Sequence, residues 1–85
     1  MRAVVHARSG QRRQEAEARD LSPTGVRLQT LNPLRAGSVM WLKIGNLEPL
    51  EITVVWSEGF SAGCRFTQAI HPAVYRALLD TLSAE

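Results

Sequence analysis

Six short stretches of this chain alternate apolar and polar residues, with turn-forming residues between them. They cover residues 3–7, 11–19, 26–30, 38–44, 50–56 and 60–66. A period of two places every second side chain on the same face of a β-strand, so each stretch predicts a strand with one buried face. Strands joined by turns this short predict a closed or nearly closed antiparallel barrel, because closure removes the exposed edges of a sheet.

The alternation also predicts which side chains face the barrel interior. Residues 11–19 contain good helix formers but no apolar stripe at helical spacing, so we interpret them as a strand with a solvated face. We expect residues 57–59 to form the short connection between the last two strands. The predicted inward residues of the last four strands are Val26 and Leu28; Met40, Leu42 and Ile44; Leu50, Ile52, Val54 and Trp56; and Phe60, Ala62, Cys64 and Phe66.

The period changes from two to that of a helix after Gln68. Pro72 suits the first turn of a helix, and apolar positions then recur at helical spacing. This helix should cover an open end or flank of the barrel. The fold class is therefore mainly β, a six-stranded antiparallel barrel with a C-terminal α-helix, in a single domain of residues 1–85. The face of the helix predicted to pack consists of Val74, Ala77, Leu78, Thr81 and Leu82.

Composition limits the classes of protein to which this chain could belong. With 45% hydrophobic and 21% charged residues, it has the balance of a globular protein. No apolar run approaches the length of a membrane span, and the N-terminal apolar stretch is too short for a signal peptide, so we expect a cytoplasmic location without membrane insertion. The single cysteine, Cys64, should be a buried strand residue without a role in thiol chemistry.

Positive charge is concentrated in the first third of the sequence. Residues 1–27 contain six arginines and three acidic residues, whereas residues 28–85 contain four basic and five acidic ones. The planar guanidinium suits phosphate and stacks on flat rings. An anionic partner near this third and a solvated basic face both explain the cluster.

Catalytic and metal-binding patterns are missing from the sequence. The two histidines, His6 and His71, are far apart and have no ligand pair at metal spacing. No phosphate-binding loop or nucleophile elbow is present either, so we expect no enzyme, no metal and no cofactor. Nucleic acid is not an expected partner, because an oligonucleotide-binding barrel would need exposed aromatics in a basic groove, and only Trp41 beside Lys43 offers one.

The turn Asp20-Leu21-Ser22-Pro23-Thr24-Gly25 is the strongest candidate for a site. Aspartate and serine side chains accept hydrogen bonds from nearby backbone N–H groups, proline fixes φ, and glycine permits unusual backbone geometry or close approach. The same residues place a carboxylate, a hydroxyl and bare backbone in one spot, as a small polar ligand requires. A turn without a ligand and a ligand site both fit this pattern.

Three motifs in order give the chain a family resemblance. They are Asp20-x-Ser22-x-x-Gly25 before an alternating strand, Val54-Val55-Trp56 at the end of a strand, and Gly63-Cys64-Arg65-Phe66 before the final helix. Together they resemble a PilZ domain, a six-stranded barrel with a C-terminal helix that in many bacteria is a receptor for cyclic di-GMP. The resemblance implies a non-catalytic domain that binds this second messenger and relays it to a protein partner.

The resemblance also implies roles for particular residues. Asp20 and Ser22 would contact guanine edges, and Gly25 would leave room for the ligand at the backbone. In family members that bind the ligand, an arginine pair R-x-x-x-R just before the first strand holds the phosphates and stacks on guanine. The full set of expected ligand-binding residues is Asp20, Ser22, Gly25, Arg8, Arg12 and Arg13.

The arginine pair distinguishes two hypotheses about function. Arg8 and Arg12 have the R-x-x-x-R spacing, but they bracket Ser9-Gly10, which we interpret as the first hairpin turn. The place of the family motif lies at or before Met1, where Arg2 is the one arginine present. A degenerate PilZ barrel that binds a protein instead of a nucleotide is therefore the alternative. An arginine pair preceding Ala3 in the full gene product would favour the receptor.

Overall fold

A computed structural model describes residues 2–7, 13–45 and 47–83 of the chain. Its strands form a closed barrel in the order β1-β2-β3-β6-β5-β4, and every neighbouring pair is antiparallel. The predicted fold class, a six-stranded antiparallel barrel with a C-terminal helix, is confirmed. The elements are β1 (Arg2–Ala7), β2 (Arg13–Arg19), β3 (Gly25–Thr30), β4 (Val39–Ile44), β5 (Leu50–Glu58), β6 (Ser61–Phe66) and α1 (Pro72–Ser83).

The core is formed by the alternate, inward-facing side chains of the strands. Val5, Leu28, Leu42 and Ile52 are fully buried, and the residues between them on each strand are more exposed. Removing each such side chain from water contributes about 1.5–3 kcal/mol to folding. Most of the predicted inward positions of β3 to β6 are therefore correct.

Strand β2 shows how pairing overrides local propensity. Its composition favours a helix, but two buried alanines, Ala16 and Ala18, alternate with charged residues that face solvent. Pairing with β1 on one side and β3 on the other satisfies its backbone over most of its length. The strand interpretation is confirmed from Arg13 onwards, and residues 11 and 12 lie outside the described part of the chain.

Helix α1 packs on the barrel as predicted. Leu78 is fully buried in the core, and Val74 and Ile70 pack against it. At the start of the helix, Nδ1 of His71 accepts a hydrogen bond from the backbone N–H of Ala73 at 3.0 Å, which satisfies one of the free amides of the first turn. Thr81 and Leu82, which were also predicted to face the barrel, have side chains outside the described part of the structure. Over the residues described, no helix has both the length and the hydropathy to cross a lipid bilayer.

A β-bulge in β5 makes the prediction for Trp56 wrong. Val54 pairs with Cys64, but Trp56 pairs with the next residue, Gly63, so Val55 is an extra residue on β5. One inserted residue changes the face on which the following side chains lie. Trp56 therefore lies on the outer face of the barrel and is 43% exposed, instead of packing in the core.

The hairpin after the bulge also differs from prediction. Strand β5 continues to Glu58, which pairs with Ser61, and the connection consists of Gly59 and Phe60 rather than residues 57–59. Phe60 therefore lies in a turn and is 58% exposed, so its predicted inward position is wrong. The positive φ of Gly59, 58°, suits such a tight two-residue connection.

Candidate ligand-binding site

The turn between β2 and β3 is closed by Ser22. The backbone N–H of Ser22 donates to the carbonyl oxygen of Gly25 at 2.9 Å. Its Oγ accepts hydrogen bonds from the N–H groups of Gly25 at 3.1 Å and of Thr24 at 3.3 Å. The carbonyl of Thr24 accepts a further bond from the N–H of Phe66, at 2.9 Å, at the end of β6. The serine thus fixes the shape of the turn, and β6 fixes its position.

Gly25 is required by packing between β3 and β6. A Cβ atom at this position would overlap the backbone carbonyl oxygen of Cys64. Backbone atoms inside a barrel cannot move aside as a flexible side chain can. The glycine therefore allows two strands to approach each other, and this requirement accounts for it before any ligand is considered.

Asp20 projects from the turn into solvent. Its φ of 45° lies in the left-handed region, which aspartate and asparagine tolerate better than most residues. Its side chain is 71% exposed and pairs with the guanidinium of Arg27 at 2.8 Å. An exposed pair of this kind contributes only about 0–1 kcal/mol, so the carboxylate can exchange this partner for another at little cost.

Two arginines stand beside the turn on the outer face. Arg19 of β2 is paired in register with Arg27 of β3. Each has an acidic neighbour, because Arg19 contacts Glu17 at 3.2 Å and Arg27 contacts Asp20. The acids offset the repulsion between like charges that lie opposite each other. A third exposed arginine, Arg65, lies opposite Gly25 on β6.

The same row of the sheet continues from Arg27 to Trp56. Gly63 of β6 pairs with Arg27 on one side and with Trp56 on the other. The indole of Trp56 lies directly over Gly63, because a Cβ atom there would overlap the Nε1, Cε2 and Cδ1 atoms of the ring. Strands about 4.8 Å apart place Arg27 and Trp56 about 10 Å from each other. The carboxylate of Asp20 in the turn, the cation of Arg27 on β3 and the aromatic ring of Trp56 on β5 thus follow one another along the outer face.

Comparison with known families identifies the domain. A family model for the PilZ domain matches residues 1–84, nearly the whole chain. The chain belongs to the PilZ family. No match was found among curated proteins or among solved structures. PilZ domains are generally non-catalytic receptor domains, and the family is one of cyclic di-GMP-binding modules.

The arginines named from the sequence are not all near the turn of this PilZ domain. Arg13 lies at the start of β2 and is paired with His6. Asp20 is seven positions further along the chain, a distance of about 23 Å in an extended strand. The structure therefore does not bring Arg13 to the turn. Arg8 and Arg12 lie outside the described residues.

Three outer-face residues of the PilZ barrel were missed as site residues. Arg27 and Arg65 lie beside the turn and Trp56 lies further along the same row, although the sequence prediction named none of them as a ligand-binding residue. The alternation of β3 and β6 already places both arginines on the outer face. The sequence pattern did not predict the β3–β6 register or the bulge in β5, because both depend on how one strand pairs with another.

The turn is an open surface of the PilZ domain. Neither of the concavities of about 1060 and 510 Å³ in the described part of the chain is lined by a residue of the turn. A ligand at the turn would therefore be held by charge, hydrogen bonds and stacking rather than by enclosure. Trp41, the aromatic residue that an oligonucleotide-binding barrel would need to expose, is half-buried.

Proposed function

We propose that this PilZ domain binds cyclic di-GMP on the outer face of the barrel and relays its presence to a protein partner. The binding surface is the row that runs from Asp20 through Arg27 and Gly63 to Trp56. The observation that carries the proposal is the exposed indole of Trp56, which lies over Gly63 in the same row of the sheet as Arg27. A structural role in the core does not account for an aromatic side chain that remains 43% exposed.

Each group in the row suits one part of the ligand. A carboxylate accepts two parallel hydrogen bonds, and guanine offers two adjacent donors on one edge, so Asp20 fits the base. The exposed indole of Trp56 offers a surface for stacking a base, worth about 1–3 kcal/mol. Arg27 lies between them and offers charge-assisted hydrogen bonds to phosphate, each worth about 1.5–3 kcal/mol.

Further phosphate contacts would come from cations around the turn. Arg19 and Arg65 lie on the neighbouring strands. The start of β1 lies on the same side, because Arg2 is paired with Glu17, three residues before Asp20. Arginines immediately before β1, the place of the family motif, would therefore come close to the turn. This geometry favours contacts from there over a contact from Arg13.

Calorimetric titration with cyclic di-GMP tests the proposal, with GTP as the control nucleotide and moderate salt to limit non-specific binding. We expect saturable heat with cyclic di-GMP and none with GTP. Arg27→Gln and Trp56→Ala should each weaken binding about tenfold or more. Arg76→Gln, which removes an exposed arginine of α1, should leave the affinity unchanged.

Asp20→Ala should abolish binding while the barrel stays folded. Its matched control is Glu17→Ala, which also removes an exposed, arginine-paired acid but lies outside the turn. If Asp20→Ala bound cyclic di-GMP as well as the parent chain, the assigned site would be wrong. Thermal melting of both variants checks that neither has unfolded.

The second candidate function is a PilZ barrel that binds a protein and no nucleotide. It is favoured by the Asp20–Arg27 pair, which occupies both groups within the chain, and by the distance of Arg13 from the turn. In that case the titration gives no heat and cyclic di-GMP gives no protection against melting. The titration is then repeated with the full gene product. Binding there would indicate that arginines preceding β1 complete the site, and no binding would indicate a degenerate site.

A further inference from the structure

A second cleft lies between the barrel and the start of α1, and no residue of the Asp20 turn lines it. Its volume is about 510 Å³, within the range of small-ligand sites. Trp41 of β4 and Glu51 of β5 form its barrel side, and the connection from Thr67 to His71 with Val74 of α1 forms the other. The backbone N–H of Thr67 donates to the carbonyl of Glu51 at 3.0 Å, which holds the connection against β5.

Trp41 and Glu51 are direct neighbours on the outer face. They are paired in register across β4 and β5, so their Cβ atoms lie about 4.5–5.5 Å apart. Both side chains are half-buried. An indole surface therefore lies next to a carboxylate in a partly enclosed place, where the attraction between opposite charges is stronger than in bulk water.

The cleft holds a negative charge without a compensating cation. No described arginine or lysine lines it, and no hydrogen bond or ion pair joins the Glu51 carboxylate to a described residue. Lys43, the next outward residue of β4, donates from Nζ to the carbonyl of Leu47. His71, which also lines the cleft, has its Nδ1 engaged by the backbone N–H of Ala73.

We propose that this cleft binds the guanidinium group of an arginine presented by a partner protein. The guanidinium would stack on Trp41 and pair with the carboxylate of Glu51. A planar cation satisfies both neighbours at once, whereas the ammonium of lysine lacks the flat surface and the two-pronged fork. The space of about 510 Å³ also admits the backbone on either side of the arginine. Trp41 and Glu51 are not among the residues proposed to contact cyclic di-GMP.

The test follows the indole N–H signals of the ¹⁵N-labelled chain by NMR. The chain contains two tryptophans, and Trp56→Phe assigns their signals. The probe is the peptide acetyl-Gly-Arg-Gly-amide at millimolar concentrations, and the control peptide replaces arginine with citrulline, which has the same shape but no charge. We expect the arginine peptide to shift the Trp41 signal saturably and the citrulline peptide to have no effect.

Two variants distinguish binding of the peptide in the cleft from a general electrostatic attraction of the peptide to the protein. Glu51→Gln should weaken binding of the arginine peptide about tenfold, because it keeps the shape and removes the charge. Glu48→Gln, an exposed acid that does not line the cleft, should leave binding unchanged. Equal effects of these two variants would overturn the proposal.

Three other results would also overturn it. One is equal binding of the arginine and citrulline peptides, and another is equal binding of a lysine peptide, which would remove the role of the guanidinium. The third is a shift of the Trp41 signal with protein concentration alone, which would assign the cleft to a second copy of this chain.

Discussion

The contact between Trp56 and Gly63 predicts that Gly63→Ala destabilises the barrel by displacing the indole. Trp56 is 43% exposed, so of about 250 Å² for a tryptophan side chain about 140 Å² is buried. At about 25 cal/mol per Å², this burial is worth at most about 3.5 kcal/mol. Two effects reduce this loss. Replacing glycine by alanine stabilises a strand by about 0.5–1 kcal/mol, and the displaced indole can keep part of its contacts. We therefore expect a net loss of about 1–2 kcal/mol.

A double-mutant cycle separates this steric effect from β-propensity. Urea unfolding followed by far-UV circular dichroism gives the free energy of unfolding of the parent, Gly63→Ala, Trp56→Ala and the double variant. Without the indole, the same alanine has nothing to displace and should stabilise the barrel by about 0.5–1 kcal/mol. If Gly63→Ala had the same effect in both backgrounds, the indole would not rest on the glycine and the stacking surface proposed for cyclic di-GMP would be lost.

Three further predictions concern the turn and the core. Gly25→Ala should lower the free energy of unfolding by about 2–4 kcal/mol, more than Gly63→Ala, because the added Cβ meets backbone rather than a side chain; urea midpoints compare the two. Asp20→Ala should cost about 1–2 kcal/mol more than Asp20→Asn in the same assay, since alanine is strained at a φ of 45°. Burial raises the pKa of the Cys64 thiol from 9.0 to about 11, so the unfolded chain loses this proton before the folded one does. Stability should therefore fall as pH rises from about 9 to 11, and Cys64→Ala should lessen that fall; an unchanged pH profile would contradict the shift.

The local sequence pattern was sufficient to predict the strands, the helix and the turn at Asp20. Alternation of apolar and polar residues predicts the strands, because a strand with one buried face needs a period of two. This requirement is the same whichever strand lies next to it. Ser22 and Gly25 close their turn through bonds within four residues, so the motif carries its own geometry. Leu78 could be placed on the packed face of α1 from helical spacing alone.

The pattern within one strand could not predict where a side chain lies when its position depends on how that strand pairs with a neighbouring strand. Trp56 continues the inward alternation of Val54, and only the pairing with β6 shows that Val55 is an extra residue. The connection of residues 57–59 was misplaced for a related reason, since the β5–β6 register, shifted by one residue at the bulge, brings Glu58 opposite Ser61.

The sequence by itself determined a barrel of six strands with a closing helix and a polar turn at Asp20. Tertiary structure decided which side chains lie beside that turn. Arg27 comes to it through the pairing of β2 with β3, and Arg65 through the pairing of β3 with β6, whereas Arg13 lies about 23 Å away along β2. The physical reason is that the period of a strand specifies two faces but no register, and a slip of one residue exchanges the faces.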